Sequence, residues 1–219
     1  MAENWIKQLT PEQSQILETL TSPVKIQTFL DSIPYSADDF NRCPLEVMRD
    51  RRANCFDGAL FAAAALEQTG RPPMILNLFP DPGQDDDHVL AIFRQNGAYG
   101  AIAKSNFVGL RYRDPVYLTL RELVMSYFEV YFNPKYAKTL RAYTRTLNLK
   151  RFAHLNWEGS MNGVEAIALH LENMPRFQLL SSAMIPGLSL LDERSYTAHN
   201  LGTDPAGVFQ PHEKNGLTA

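Results

Sequence analysis

Apolar positions along this chain fall into helix-period stripes, one all-apolar segment and three strand-length runs, and together these set its architecture. Across residues 56–68 nearly every side is apolar, with Leu60, Phe61, four consecutive alanines and Leu66. A helix without a polar stripe must be wrapped by other elements, so this one is expected at the centre of the fold. Asn54 can cap it, and Gly70 with Pro72 and Pro73 stops it. Elsewhere the stripes are narrower. Ile26, Phe29, Leu30 and Ile33 stand at i, i+3, i+4 and i+7 behind a Ser22-Pro23 start, and Thr10-Pro11 with Gln13 opens an earlier helix running to about residue 20. Residues 44–49 suit a short helix. Thr119 and Glu122 form a capping box ahead of Leu123, Tyr127, Phe128 and Tyr131, a stripe ended by Asn133-Pro134. Val164, Ile167, Ala168 and Leu171 give one more amphipathic face, closed by Pro175.

Residues 74–79 form a near-continuous apolar run of strand length, which suits a central strand covered on both faces. Two further runs, HVLAIFRQ and AYGAIAKS, flank Asn96-Gly97, the strongest short-range hairpin signal. With those two residues as the turn, Gln95 faces Ala98, Leu90 faces Ala103 and His88 faces Ser105. His88, Leu90 and Ile92 then share a face with Ala101, Ala103 and Ser105. Leu147 and Leu149 alternate in the second half of residues 140–149, where another strand is expected. Signals thin out after residue 181. Residues 1–200 read as one domain, and residues 201–219 as a flexible tail or a strap over the surface.

Composition narrows the function. The 219 residues are 45% hydrophobic and 21% charged, ordinary for a globular chain able to bury a sizeable core. A net charge of −3 provides no basic footprint, which argues against nucleic acid as partner. No apolar run approaches a membrane span, and the first residues lack the charged and apolar blocks of a signal peptide, so no membrane is expected and the cytoplasm is the expected location. Its two cysteines, Cys43 and Cys55, should both be thiols there, a bridge between them being the rival reading. Asp81, Asp85, Asp86 and Asp87 can attract a divalent cation, but they lack the alternate spacing of a calcium loop and read more simply as a solvated turn. No repeat, glycine-rich phosphate loop or paired CxxC motif occurs, and no metal or cofactor is expected.

The chemistry centres on Cys55, in the first turn of the central helix. Free backbone N–H groups and the helix dipole stabilise a thiolate there. His88, at the start of the following hairpin, is the candidate base; the plainer reading of Cys55 is a small buried hydrophobe. A cysteine opening a helix and a histidine opening a strand, in that order, resemble the transglutaminase-like superfamily, whose core is shared with papain-type cysteine proteases and arylamine N-acetyltransferases. Residues 51–58 are similar to the arginine-led cysteine motif of those acetyltransferases. The resemblance covers about residues 51–106. It implies an α+β fold in which the cysteine-bearing helix packs on an antiparallel sheet, with extra N- and C-terminal helices outside that core.

It also implies Cys55 as nucleophile and His88 as base. Ala103 falls where the family carries its acid, so the third member is expected from Ser105, across from His88, or from Asn106, which can hold the imidazole tautomer without a charge. Lys104, Arg111 and Arg113 are candidates to recognise an acidic group on a substrate, or else are solvated or paired with carboxylates such as Asp114. The expected activity is covalent acyl transfer or hydrolysis at a peptide, isopeptide or other amide bond, on a protein, peptide or small-molecule acyl substrate. The alternatives are a catalytically inactive binding or scaffolding module on the same fold, and a metal held by Cys55, His88 and Asp87.

Overall fold

The computed structural model describes residues 3–210, with side chains from Trp5 onward. Four helices precede the central one: α1 (Glu3–Ile6), α2 (Pro11–Thr19), α3 (Pro23–Asp31) and α4 (Pro44–Asp50). The caps read from sequence form. Thr10 and Gln13 make a reciprocal box at the start of α2, and the Ser22 hydroxyl accepts from the Lys25 N–H at the start of α3. Helix α5 (Cys55–Gln68) follows. Asn54 Oδ1 accepts from the Asp57 N–H at 2.9 Å, and Asp57 Oδ2 accepts from the Asn54 N–H at 3.2 Å. Of its apolar residues, Leu60, Phe61, Ala62, Ala63 and Leu66 are wholly buried, so this helix is the hub that the all-round apolar pattern requires.

The sheet comprises β1 (Met74–Pro80), β2 (His88–Gln95), β3 (Ala98–Ile102), β4 (Arg113–Tyr117), β5 (Leu140–Thr144), β6 (Leu147–Asn148) and β7 (Arg176–Gln178). It runs β4-β3-β2-β1-β5-β7, with β6 beside β1, and every pairing is antiparallel. Helix α6 (Leu120–Met125) follows β4, α7 (Met161–Glu172) precedes β7, and α8 (Glu193–His199) lies near the end of the described chain. The fold is thus α+β, with a cysteine-bearing central helix on an antiparallel sheet and further helices at both ends.

Both faces of the sheet are covered, which is why β1 and β2 read as unbroken apolar runs. One face, with Ile75, Val89, Ala91, Phe93 and Ile102, packs on α5 and the helices around it. The other, with Leu76, Leu90, Ile92, Ala101 and Ala103, packs on Leu123, Val124, Tyr127 and Tyr131. The stripe read across residues 123–131 is therefore buried. Its helix is shorter than its pattern: α6 stops at Met125, and Phe128–Val130 continues as a 3₁₀ turn.

Three sequence readings change. The hairpin keeps its register, with Gln95 opposite Ala98 and Ala91 opposite Ile102, but pairing stops there, short of Leu90–Ala103 and His88–Ser105. Gln27 of α3 takes the place of a strand partner: its carboxamide accepts from the Ala103 N–H and donates to the Ala103 carbonyl, both at 3.0 Å. Once those two main-chain groups are satisfied by a side chain, nothing keeps the chain in the ladder. The strand expected around Leu147 and Leu149 is only the two-residue β6, and the longer strand lies in the first half of that segment as β5, whose Leu140, Ala142 and Thr144 are buried. Helix α8, capped by Asp192, stands where sequence signals had thinned. Residues 201–210 lie against the body of the protein; residues 211–219, the rest of the expected tail, are outside the described residues.

Candidate active site

A cavity of about 330 Å³ opens at the N-terminus of α5 and the start of β2, and Cys55, His88, Ser105 and Asn106 all line it. Its other walls include Tyr35, Asp85, Asp86, Asp87 and Tyr131. The loop from β1 to β2 is pinned from several sides. Tyr131 Oη donates to the Asp86 carbonyl at 2.6 Å, Thr139 Oγ1 donates to Asp85 Oδ2 at 2.7 Å, and Asn77 Nδ2 donates to Asp87 Oδ2 at 2.7 Å. The aspartates thus sit in the turn that their composition suggested, with Asp86 and Asp87 exposed, and these bonds hold that turn in place. Among the described residues, no group of three or more His, Cys, Asp or Glu side chains is arranged to hold a metal ion.

Cys55 is half-buried, with its Sγ 3.8 Å from the Asp87 carbonyl oxygen. Its thiol is displaced in the opposite sense from the one its helix position predicts. Burial, then the Asp87 carboxylate, with smaller contributions from Asp57 and Asp86, push it from 9.0 up to about 12, against a contrary pull from the Val89 N–H. A helix N-terminus contributes about 0.3–1 kcal/mol, and burial and the loop carboxylates act against it. Cys43 is also a free thiol, buried at the start of α4 and raised to about 11 by burial, so the Cys43–Cys55 bridge is not formed.

His88 sits at the first position of β2, and strand alternation turns its ring into the layer opposite α5. It lies edge-on between Tyr127 and Tyr131, 6.5 Å from each ring centre. Nε2 is 2.8 Å from the Leu110 carbonyl oxygen. A carbonyl can only accept, so Nε2 carries the hydrogen and Nδ1 keeps the lone pair. Burial, with a smaller push from the Arg113 charge against the pull of that hydrogen bond, lowers the imidazole to about 4. The ring is therefore neutral near neutral pH. No hydrogen bond joins it to Cys55: α5 packs on the other face of the sheet, and the two residues share only the cavity at the start of β2.

Neither Ser105 nor Asn106 reaches the imidazole through a hydrogen bond. Ser105 Oγ accepts from the Phe107 N–H at 3.0 Å, and Asn106 binds the C-terminal segment. The main-chain oxygen of Leu110 instead does what a side-chain acid or amide would do, fixing the tautomer. A backbone acceptor leaves no trace in sequence. Of the three candidate cations, Lys104 is buried and its Nζ donates to the carbonyls of Leu30 and Ile33 at 2.9 and 2.5 Å, with its pKa lowered to about 8 by burial. Arg113 donates to Ser126 Oγ at 2.9 Å and the Gly109 carbonyl at 2.8 Å, and stacks on Tyr127. Arg111 is the more exposed one and pairs with Asp31 at 3.4 Å, not with Asp114.

The approach to Cys55 is stiffened by ions and close packing. Buried Arg42 pairs with Asp38 at 2.6 Å and Asp50 at 3.1 Å, and its main-chain N–H donates to Asp57 Oδ1 at 2.7 Å. Arg51, which leads the cysteine segment, stacks on Phe29 with its guanidinium carbon 4.6 Å from the ring centre. Gly58 faces the Lys104 side chain so closely that a Cβ there would overlap it, so this glycine lets the end of the hairpin meet α5.

No family model matches the sequence, and no curated protein matches it. Among solved structures, Legionella pneumophila LapG superposes with a TM-score of 0.37 at 12% identity, over 51% of this chain and 73% of that one. Its EGTA-treated form gives 0.36 at 13% over 48% and 68%, and its calcium-bound form 0.35 at 13% over 48% and 70%. Likeness at this level carries no argument about the site.

Proposed function

We propose that this chain is a transglutaminase-like cysteine protein that performs acyl transfer or hydrolysis at an amide, peptide or isopeptide bond. One observation carries the reading: a cysteine at the first position of the central helix and a histidine at the first position of the next hairpin line one cavity, and the imidazole is held in the tautomer that leaves Nδ1 as a base. Both groups are neutral at rest. The sulfur attacks the acyl carbon as its proton passes to Nδ1, the C–N bond breaks, and the protonated ring returns that proton to the departing amine. Water or another amine then takes the acyl group from sulfur. The N–H groups at the start of α5 are the donors available for the oxyanion.

Two observations favour a second reading, a non-catalytic module on the same fold: the carboxylates that raise Cys55, and the lack of a hydrogen bond between sulfur and imidazole. Intact-mass analysis after exposure to a small activated ester or thioester separates the two. An acyl adduct on Cys55 that turns over in the wild type, and fails to form or to clear in His88→Ala, supports catalysis. A thiol that takes up no acyl group while the protein is folded removes it.

A further inference from the structure

The chain beyond α8 returns to the cavity. Asn106 holds it at two points: its Oδ1 accepts from the Asp204 N–H at 2.9 Å, and its Nδ2 donates to the Asp204 carbonyl at 2.8 Å. Thr203 Oγ1 adds a bond to the Asn106 carbonyl at 3.2 Å. A side-chain amide that matches both main-chain groups of one residue reads backbone and not side chain, which is how a groove accepts a peptide irrespective of sequence at that point.

Selectivity begins just after. The segment turns through Pro205–Gly207, and Gly207, Val208 and Phe209 are half-buried against the cavity that holds Cys55 and His88. Gly207 is wedged between two side chains: a Cβ there would stand 2.8 Å from Tyr35 Cε1 and 2.9 Å from Asn106 Nδ2. Val208 and Phe209 reach an adjoining hollow walled by the aromatic rings of Phe107, Phe132 and Tyr196. Upstream, Leu201 and Gly202 line a second cavity of about 320 Å³ that shares Tyr35, Ser105, Asn106 and Phe107 with the first. Two cavities thus share the wall formed by Tyr35 and Asn106, one toward Lys104 and Arg111 and the other at Cys55, and residues of the C-terminal segment line both.

We infer that these two cavities belong to one peptide channel and that residues 203–209 lie along it as a built-in pseudosubstrate. The ligand class is a peptide held through its main chain at Asn106, with a small residue at the Tyr35 wedge and apolar side chains next to it. This rests on the acyl-transfer reading and names its substrate class and its restraint: the segment that lines the site must leave before a foreign peptide can reach Cys55.

The test uses the full chain, its Gly207→Val and Phe209→Asp variants, and a fluorescein-labelled peptide of sequence Thr-Asp-Pro-Ala-Gly-Val-Phe, read by fluorescence anisotropy. A tethered copy competes at an effective concentration near millimolar, so both variants should bind the peptide at least about tenfold more tightly than the wild type. A peptide with valine in place of its glycine should not bind. Iodoacetamide labelling mapped to Cys55 should also rise about tenfold in the variants, where the strap no longer shields the sulfur, and excess unlabelled peptide should suppress it. Circular dichroism confirms that each variant is folded, and two substitutions guard against one being disruptive. Folded variants that bind no peptide and label at the wild-type rate overturn the inference. Neither readout needs turnover: variants that bind peptide yet form no acyl adduct keep the channel and remove acyl transfer, and the reverse result keeps only the chemistry.

Discussion

His88 provides a quantitative check on the site, because its surroundings keep its ring neutral well below pH 6.5. Its pKa falls from 6.5 to about 4, first through burial, so the fold favours the neutral form and protonation opposes the fold. The stability tied to this group is present above pH 6.5 and drains away as pH falls toward 4. Integrating between those values gives a loss of about 2 kcal/mol from pH 7.5 to pH 5 for this residue alone. Asp57 and Asp85 work the other way: burial raises them to about 6 and about 7, so each stabilises the fold as pH drops through those values. Their slopes belong to both proteins when wild type is compared with His88→Gln, and cancel in the difference. Urea unfolding of the pair at pH 7.5, 6 and 5 should show the wild type losing about 2 kcal/mol relative to the variant on going to pH 5. A difference that stays flat across that range would mean that His88 is solvated in the folded state. The Leu110 hydrogen bond would then not fix its tautomer, and the assignment of Nδ1 as base would fall with it.

Replacing Asp87 by Asn removes the largest carboxylate effect on Cys55 and should raise iodoacetamide labelling of that residue at pH 8 about tenfold, an unchanged rate showing that burial alone holds the thiol protonated. Arg42→Ala leaves Asp57 buried without its cation and should cost about 3 kcal/mol in chemical unfolding; a loss under about 1 kcal/mol would place the cluster among weak surface pairs. Gly58→Ala drives a methyl into the Lys104 side chain and should cost about 2 kcal/mol, measured as a lowered midpoint in thermal unfolding, with no loss expected if the hairpin end simply moves away.

Much of the fold is legible locally because its signals are local. Caps at Thr10, Ser22, Asn54 and Thr119 act over three residues, the Asn96-Gly97 turn sets the hairpin register, and an all-apolar segment as long as residues 56–68, rich in alanine and leucine, reads as a buried helix. The candidate site was legible as far as Cys55 and His88 opening one cavity. Beyond that point its character depends on long-range partners: Gln27 closing the ladder at Ala103, and the Leu110 carbonyl replacing a side-chain acid. Asn106 is among these too, since it faces the C-terminal segment and not the imidazole.

By itself the sequence determined which segments are helix and strand over most of the chain, which helix lies at the centre, and that a cysteine opens that helix and a histidine opens the hairpin after the first strand. Only the tertiary structure decided what those two groups are chemically. A helix terminus promises a thiolate, but the field at Cys55 is set by aspartates that folding brings up from a loop 30 residues further along the chain. Period-two alternation turns His88 away from α5, and no sequence pattern encodes which main-chain oxygen meets its ring. Desolvation and charge proximity are properties of the assembled molecule, and here they outweigh the local dipole.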